Sequence, residues 1–308
     1  MITIGIFTIP TLYKLKTKTM DHFFSNFLPA SYVKWIEQSG ARVVPIKYNA
    51  SQSEIKRILK QVNGVLFPGG AISRNMQPQL SKFISSFKTI YNYAKLENDK
   101  GNYFPLWATC LGFEFLCMMP FHNNTIKFNY NNHYLLQQLD SEQHQVYYKL
   151  LKDQPYLLDS ISCSKSYLNN TIIYMNHKYG YYYNKATREI FENYLNILSL
   201  NQDRNGVDYV SMIKYKKYPF YGVQWHPEKP PFETLDSAIP HLKKTINFSR
   251  LWSEFFINEC KKNKNHLLDK LLLIRNYTLY NPNNVFRYDK SSDRLIKNTS
   301  IFNQNYYF

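Results

Sequence analysis

The spacing of apolar side chains changes period repeatedly along the first 120 residues. Ile2 to Phe7 is a short, nearly continuous apolar run, as expected of a strand buried on both faces. Over residues 24–39, Phe27, Tyr32, Val33 and Ile36 recur at helical spacing and stop at Gly40, which predicts a helix. Arg42 to Ile46 predicts the next strand. Ser51 or Ser53 stands where a hydroxyl can cap a helix running through Ile55, Ile58 and Leu59 to Val62. Val65–Phe67 then reads as a strand, residues 78–96 as a helix, and the aromatic run from Tyr103 to Thr109 as another strand. From Leu111 the pattern returns to a helix carrying Phe113, Phe115, Leu116 and Met119. Strands alternating with helices in this rhythm predict an α/β fold, with a mostly parallel central sheet covered by helices on both faces. Such sheets gather ligands at the carboxyl ends of their strands.

The pattern between 121 and 220 is less regular. Residues 171–175 and 208–213 read as strands of an added or antiparallel part, and Tyr221–Trp225 as a further strand. The last long helix, about 240–262, carries Leu242, Ile246, Leu251, Trp252, Phe255 and Phe256 near one face, which is core packing. No linker or composition break precedes residue 262, so residues 1–262 read as one domain. Residues 263–308 read as a basic, aromatic tail packed on it.

Candidate chemistry falls at three strand ends. Cys110 stands between the aromatic strand and the helix that follows, the elbow position of nucleophiles on α/β sheets. The first helix amides and the positive helix end there favour thiolate. Gly112 removes a side chain that would crowd the bend. His226 and Glu228 lie two apart at the end of the Tyr221–Trp225 strand, where period-two spacing sends both side chains to one side and a carboxylate can orient the imidazole. Val65-Leu66-Phe67 ends in Pro68-Gly69-Gly70, a turn able to offer a backbone N–H to a developing oxyanion. Taken singly, each has a plain reading: a buried small hydrophobe, a surface pair, a turn. Their order, each at a strand end, makes one crevice the simplest account.

These stretches, Phe67-Pro68-Gly69-Gly70, Thr109-Cys110-Leu111-Gly112-Phe113-Glu114 and Tyr221-Gly222-Val223-Gln224-Trp225-His226-Pro227-Glu228-Lys229, resemble the motifs of the class I glutamine amidotransferase-like superfamily, which has a flavodoxin-like fold. Within it the chain is most similar to the γ-glutamyl hydrolase family. Ala30-Ser31-Tyr32-Val33-Lys34-Trp35 and Gly40-Ala41-Arg42-Val43-Val44-Pro45 resemble that family's first helix and second strand. The resemblance implies a cysteine-dependent omega peptidase that cleaves γ-glutamyl amide bonds in folyl poly-γ-glutamates through a thioester. It implies Cys110, His226 and Glu228 as catalytic residues, Gly70 and Leu111 as oxyanion donors, and Glu114, His177 and Gly69 as substrate-binding residues. Read alone, Glu114 is a helix-surface carboxylate and His177 a surface or satisfied histidine. Ala108 departs from the family, which usually has Gly there, and an added methyl would narrow the space beside the elbow. Two alternatives stay open: a glutaminase unit handing ammonia to a synthase, and an inactive binding protein on the same scaffold.

Composition adds limits. Lys and Arg number 38 against 22 acidic residues, a net charge of +16, with basic clusters spread along the chain. No nucleic-acid module accompanies them, so they read as a solvated surface, one whose field would also speed capture of a polyanionic γ-linked glutamate chain at low salt. Those chains are the expected partners, with a homodimer left open and neither nucleic acid nor a membrane expected. Neither cofactor nor metal is expected, because Cys110, Cys117, Cys163 and Cys260 form no Cys-x-x-Cys pair and no histidine cluster has zinc spacing. Cys117 and Cys260 read as core residues on helices. The resemblance implies a lysosomal, vacuolar or extracellular protein. The N-terminus opens directly as a strand rather than a leader, so the sequence reads as a mature chain, an incomplete gene model or a cytosolic variant.

Overall fold

The computed structural model describes residues 1–19, 22–72, 76–121, 136–139, 144–148, 171–281, 284–289, 292–297 and 302–308. Cys163 lies outside the described residues. In chain order the strands are β1 (Thr3–Phe7), β2 (Ile9–Lys16), β3 (Phe24–Pro29), β4 (Arg42–Ile46), β5 (Gly64–Phe67), β6 (Leu106–Thr109), β7 (Gln137–Gln138), β8 (His144–Tyr148) and β9 (Thr171–Met175). They continue with β10 (Tyr179–Gly180), β11 (Leu195–Gln202), β12 (Asp208–Tyr215), β13 (Phe220–Val223), β14 (Leu279–Tyr280), β15 (Phe286–Asp289), β16 (Arg294–Lys297) and β17 (Asn305–Tyr307). The α-helices are α1 (Ala30–Glu37), α2 (Gln52–Leu59), α3 (Gln77–Asp99), α4 (Leu111–Met118), α5 (Lys185–Phe191), α6 (Lys229–Phe232) and α7 (Lys243–Cys260).

Among the described residues the central sheet has the order β11-β12-β13-β6-β5-β1-β4. The five strands from β13 to β4 run parallel, and β12 and β11 extend the sheet antiparallel at one edge. This is the α/β class expected. Its two faces separate residue by residue along each strand. Val65, Phe67, Leu106, Ala108 and Phe220 pack toward α2, α3 and α4, whereas Leu66, Trp107, Tyr221 and Val223 pack toward α1 and α7. Both faces are therefore covered, and period-two alternation decides which core each side chain joins. Cys117 and Cys260 are fully buried on opposite faces.

Most predicted elements lie where the sequence puts them, with one informative exception. Residues 24–29 are not helix but β3, with Phe24, Asn26 and Leu28 buried and Ser25 exposed. Pro29 ends the strand and takes the N-cap position of α1, at φ −60° and ψ 132°. A helix entered from an extended proline is ordinary, since proline lacks the N–H that a helix interior would need. Ser51, not Ser53, caps α2, accepting the Glu54 N–H at 3.1 Å.

A second sheet has the order β14-β17-β3-β2-β15-β16, so strands from the last thirty residues or so pair with β2 and β3 near the N-terminus. No helix among the described residues is long and apolar enough to cross a membrane.

On the α1–α7 side, Trp107 stands with ring centres 5.5 Å from Trp35, 6.1 Å from Trp252 and 5.8 Å from Phe256. Its indole N–H donates to the Thr109 hydroxyl at 3.2 Å, immediately before Cys110. Trp107→Ala is expected to cost about 3–5 kcal/mol of stability in urea unfolding, as other buried large-to-small changes do.

Candidate active site

Cys110 ends β6 and opens α4. Its backbone has φ 50° and ψ −108°, a conformation that side chains rarely adopt and that costs on the order of 1–3 kcal/mol. The surroundings hold it there: its N–H donates to the Val223 carbonyl at 2.9 Å and its carbonyl accepts the Glu114 N–H at 2.9 Å. Two residues on, a side chain at Gly112 would place its Cβ 2.5 Å from the Phe67 carbonyl oxygen. Only glycine lets α4 start this close to β5. Ala108 is fully buried in the core on the α2–α4 face, with its methyl packed there.

His226 and Glu228 meet by a route other than the one their spacing implies. β13 stops at Val223, and Glu228 is not extended but in the αR region, at φ −76° and ψ −20°, as the N-cap of α6. The turn through Pro227 folds the carboxylate back under the ring, where Glu228 Oε1 accepts from His226 Nδ1 at 2.7 Å. A carboxylate there fixes the proton on Nδ1 and turns Nε2 outward. Nε2 and Cys110 Sγ then approach the same atom, the Asn176 carbonyl oxygen just beyond β9, at 3.4 and 3.6 Å. The His226 N–H donates to the Tyr174 carbonyl at 3.0 Å, which ties the two segments together.

Gly69 sits between the imidazole and the cysteine. A Cβ on it would lie 2.7 Å from His226 Cε1, 2.8 Å from the Tyr32 hydroxyl and 2.9 Å from Cys110 Cβ. Its N–H donates to the Tyr32 hydroxyl at 2.7 Å. That hydroxyl lies 3.4 Å from His226 Nδ1. Gly70 follows, half-buried against Ile9. The Leu111 amide favours the Cys110 thiolate.

Glu114 is buried, not on a helix surface, and accepts from Gln224 Nε2 at 3.5 Å. His177 is also buried, its Nδ1 3.0 Å from the Tyr179 carbonyl and its ring against Tyr209. Its neighbour Asn176 makes the direct contacts with Cys110 and His226. Burial pushes the Cys110 thiol well above its ordinary range. Glu114 adds to this, Lys229 opposes it, Glu228 adds again, and the Leu111 amide opposes it. The thiolate expected from the helix end is thus outweighed by desolvation and two carboxylates, and the resting side chain is the thiol. No group of three or more His, Cys, Asp or Glu among the described residues is arranged to hold a metal ion.

This is a cysteine–histidine–carboxylate constellation at the carboxyl ends of parallel strands, with a glycine turn beside it. The peptidase C26 family model matches residues 3–228, a span containing all three groups. The chain belongs to the peptidase C26 family. It is accordingly a cysteine-dependent hydrolase. Its C26 relatives include gamma-glutamyl hydrolase B of Dictyostelium discoideum, 32% identical over 97% of this chain and 84% of that one. The gamma-glutamyl hydrolase of Homo sapiens is 32% identical over 83% of this chain and 77% of its own. Gamma-glutamyl hydrolase 1 of Arabidopsis thaliana is 32% identical over 78% and 67%.

Tyr32, Asn176, Gln224 and Lys229 also lie at this site, and no motif assigns a role to any of them. Tyr32 was readable only as an apolar position on a helix, and Asn176 contributes a backbone atom that no motif can carry. Tyr32→Phe leaves the buried Gly69 N–H without an acceptor and is expected to destabilise the fold by roughly 1–3 kcal/mol in urea unfolding.

Proposed function

We propose that the chain hydrolyses γ-glutamyl amide bonds, with Cys110 as nucleophile. The carrying observation is that His226, oriented by a fully buried Glu228, turns Nε2 toward the Asn176 carbonyl that Cys110 Sγ also touches. Because the resting sulfur is a thiol, the attack needs a base in place. His226 Nε2 takes the thiol proton as sulfur bonds to the γ-carbonyl carbon, then returns it to the departing amine. Glu228 stabilises the imidazolium formed between those steps. Water, deprotonated by the same nitrogen, cleaves the thioester and restores the thiol.

The Gly70 and Leu111 amides are the oxyanion donors in this reading, since the Gly69 N–H is engaged by Tyr32. Losing one such donor costs roughly 3–4 kcal/mol of transition-state stabilisation. Gly69 keeps the space between ring and sulfur open for the scissile carbonyl. Glu114 and His177, both buried beside the crevice, are assigned to the substrate's glutamyl group. The names of the relatives favour γ-glutamyl compounds as substrate; folyl polyglutamates as the specific class, and a lysosomal, vacuolar or extracellular setting, are proposed from the family resemblance alone.

Mass spectrometry of products from a γ-linked glutamate oligomer tests the reading. Wild-type protein is expected to release glutamate or shorter γ-linked fragments, and Cys110→Ala to lower turnover by roughly four orders of magnitude or more with an unchanged circular dichroism spectrum. Retained turnover in that variant would overturn the assignment. Release of ammonia from glutamine, with the oligomer left intact, would instead favour a glutaminase.

A further inference from the structure

A cavity of about 640 Å³ opens at the far end of the central sheet from Cys110. It lies where β13 begins, whereas His226 lies past the end of that strand, and β13 alone spans about 13 Å. α3 supplies one wall through Lys88, Tyr91 and Lys95, which stand three and four residues apart and so share one helix face. The turn between β12 and β13 supplies another through Lys216, Lys217 and Tyr218. Four ammonium groups thus border one hollow, and among the described residues no carboxylate lines it. Lysines on an ordinary solvated face spread apart. Gathered around a concavity, they focus a positive field and raise the local concentration of anions.

These cations are held in place rather than left to disperse. Lys217 Nζ lies 5.1 Å and Lys95 Nζ 6.0 Å from the centre of the same Tyr218 ring. That ring stacks on Phe220 at 5.2 Å and 22°, and Phe220 is fully buried. Asp99 accepts from Lys217 at 2.7 Å and from the Tyr218 hydroxyl at 3.0 Å, which fixes this corner and offsets one of the four charges. Lys216 is anchored differently. Its N–H donates to the Tyr194 carbonyl at 2.9 Å, and its ammonium donates to the Glu192 carbonyl. A backbone oxygen orients the ammonium without neutralising it, and the Glu192 carboxylate is 3.8 Å from Arg188 instead. Charge that is positioned in advance lowers the ordering cost of binding.

We propose that this cavity is a binding site for a small oligoanion, a molecule carrying two or three carboxylate or phosphate groups. Lys88 and Lys95 meet it from α3 and Lys216 from the turn, while Lys217 keeps Asp99. One negative charge would leave most of this field unanswered. The volume falls in the range of small-ligand sites, too small to enclose a macromolecule. The proposal goes beyond the hydrolase reading and is independent of it, since no residue of the catalytic constellation lines the cavity.

The test is isothermal titration calorimetry of the intact chain at neutral pH and low salt, with citrate and inorganic tripolyphosphate as separate probes. At least one is expected to bind with a Kd below about 1 mM, and more weakly as salt is raised. Tighter binding of tripolyphosphate assigns phosphate as the preferred group, and tighter binding of citrate assigns carboxylate. Lys88→Gln/Lys95→Gln is expected to weaken binding roughly tenfold or more, since charge-assisted hydrogen bonds are lost. Lys243→Gln/Lys244→Gln, at the start of α7 on the other face of the sheet, is expected to stay within about twofold of wild type. Binding of neither probe, an affinity indifferent to salt, or an equal loss in the two double variants overturns the proposal. If Lys88→Gln/Lys95→Gln does not fold, an unchanged Kd in Lys216→Gln overturns it alone. Turnover of γ-glutamyl substrates bears on the hydrolase reading only, and these affinities stand whatever it shows.

Discussion

Everything at this site depends on a missing side chain. Gly69 leaves a gap in which the His226 ring, the Tyr32 hydroxyl and the Cys110 Cβ all come within 3 Å of where a methyl would sit. Four chain segments, from α1, β5, β6 and β13, converge there because their strands are registered by parallel pairing and their ends can shift little. Tyr32 joins them: one hydroxyl accepts from Gly69 and lies 3.4 Å from His226 Nδ1. In a buried network the loss of one partner leaves the others unpaired, so removing any member of this hub is costly. The same convergence that makes the site reactive makes it rigid.

The electrostatics follow from that enclosure. A helix end carries about half a charge, whose influence fades within a turn. α4 is eight residues long, and Glu114 sits in its first turn. Burial therefore decides the state of Cys110, and the sulfur rests as a thiol. A site of this kind cannot rely on a standing thiolate. It needs a base held in one tautomer and one orientation, which is what a carboxylate with no solvent exposure provides for His226. The buried Glu228 and the raised thiol are two sides of one arrangement.

Much of this was legible in the sequence. Local signals placed β1, β4, β5, β6 and the helices between them, because apolar period and caps act within a dozen residues. The elbow at Cys110 and the glycine turn were legible because each has a composition of its own. Residues 24–29 fit either period at Phe24, Phe27 and Leu28, and only pairing with β2 and β17 selects the strand over the expected helix. The adjacency of His226 and Glu228 was correct while its reason was not, as Pro227 turns the chain where an extended strand was expected. Glu114 looked exposed because a carboxylate on a helix usually is, and Gln224, which meets it, comes from 110 residues away. The core face that Ala108 joins is set by β6 pairing with β5 and β13, which no local pattern reports.

The C-terminal segment shows why distant sequence can matter to a site whose motifs lie elsewhere. β17 pairs with β3 at Asn305–Pro29, Tyr306–Leu28 and Tyr307–Phe27. β3 runs into α1 without a linker, and Tyr32 stands three residues past Pro29. This segment therefore meets the site twice, at Lys229 through the Phe302 ring, 5.3 Å from the ammonium, and at Tyr32 through the strand that launches its helix. Closing so long a loop costs little more than closing a short one, because the entropic penalty grows only with the logarithm of length. Once the segment is paired, its free energy of docking helps to hold both the buried cation and the buried hydroxyl against the tendency of each to seek water. An edge strand left uncovered at β3 would do neither, and would leave its N–H and C=O groups open to pairing with another chain.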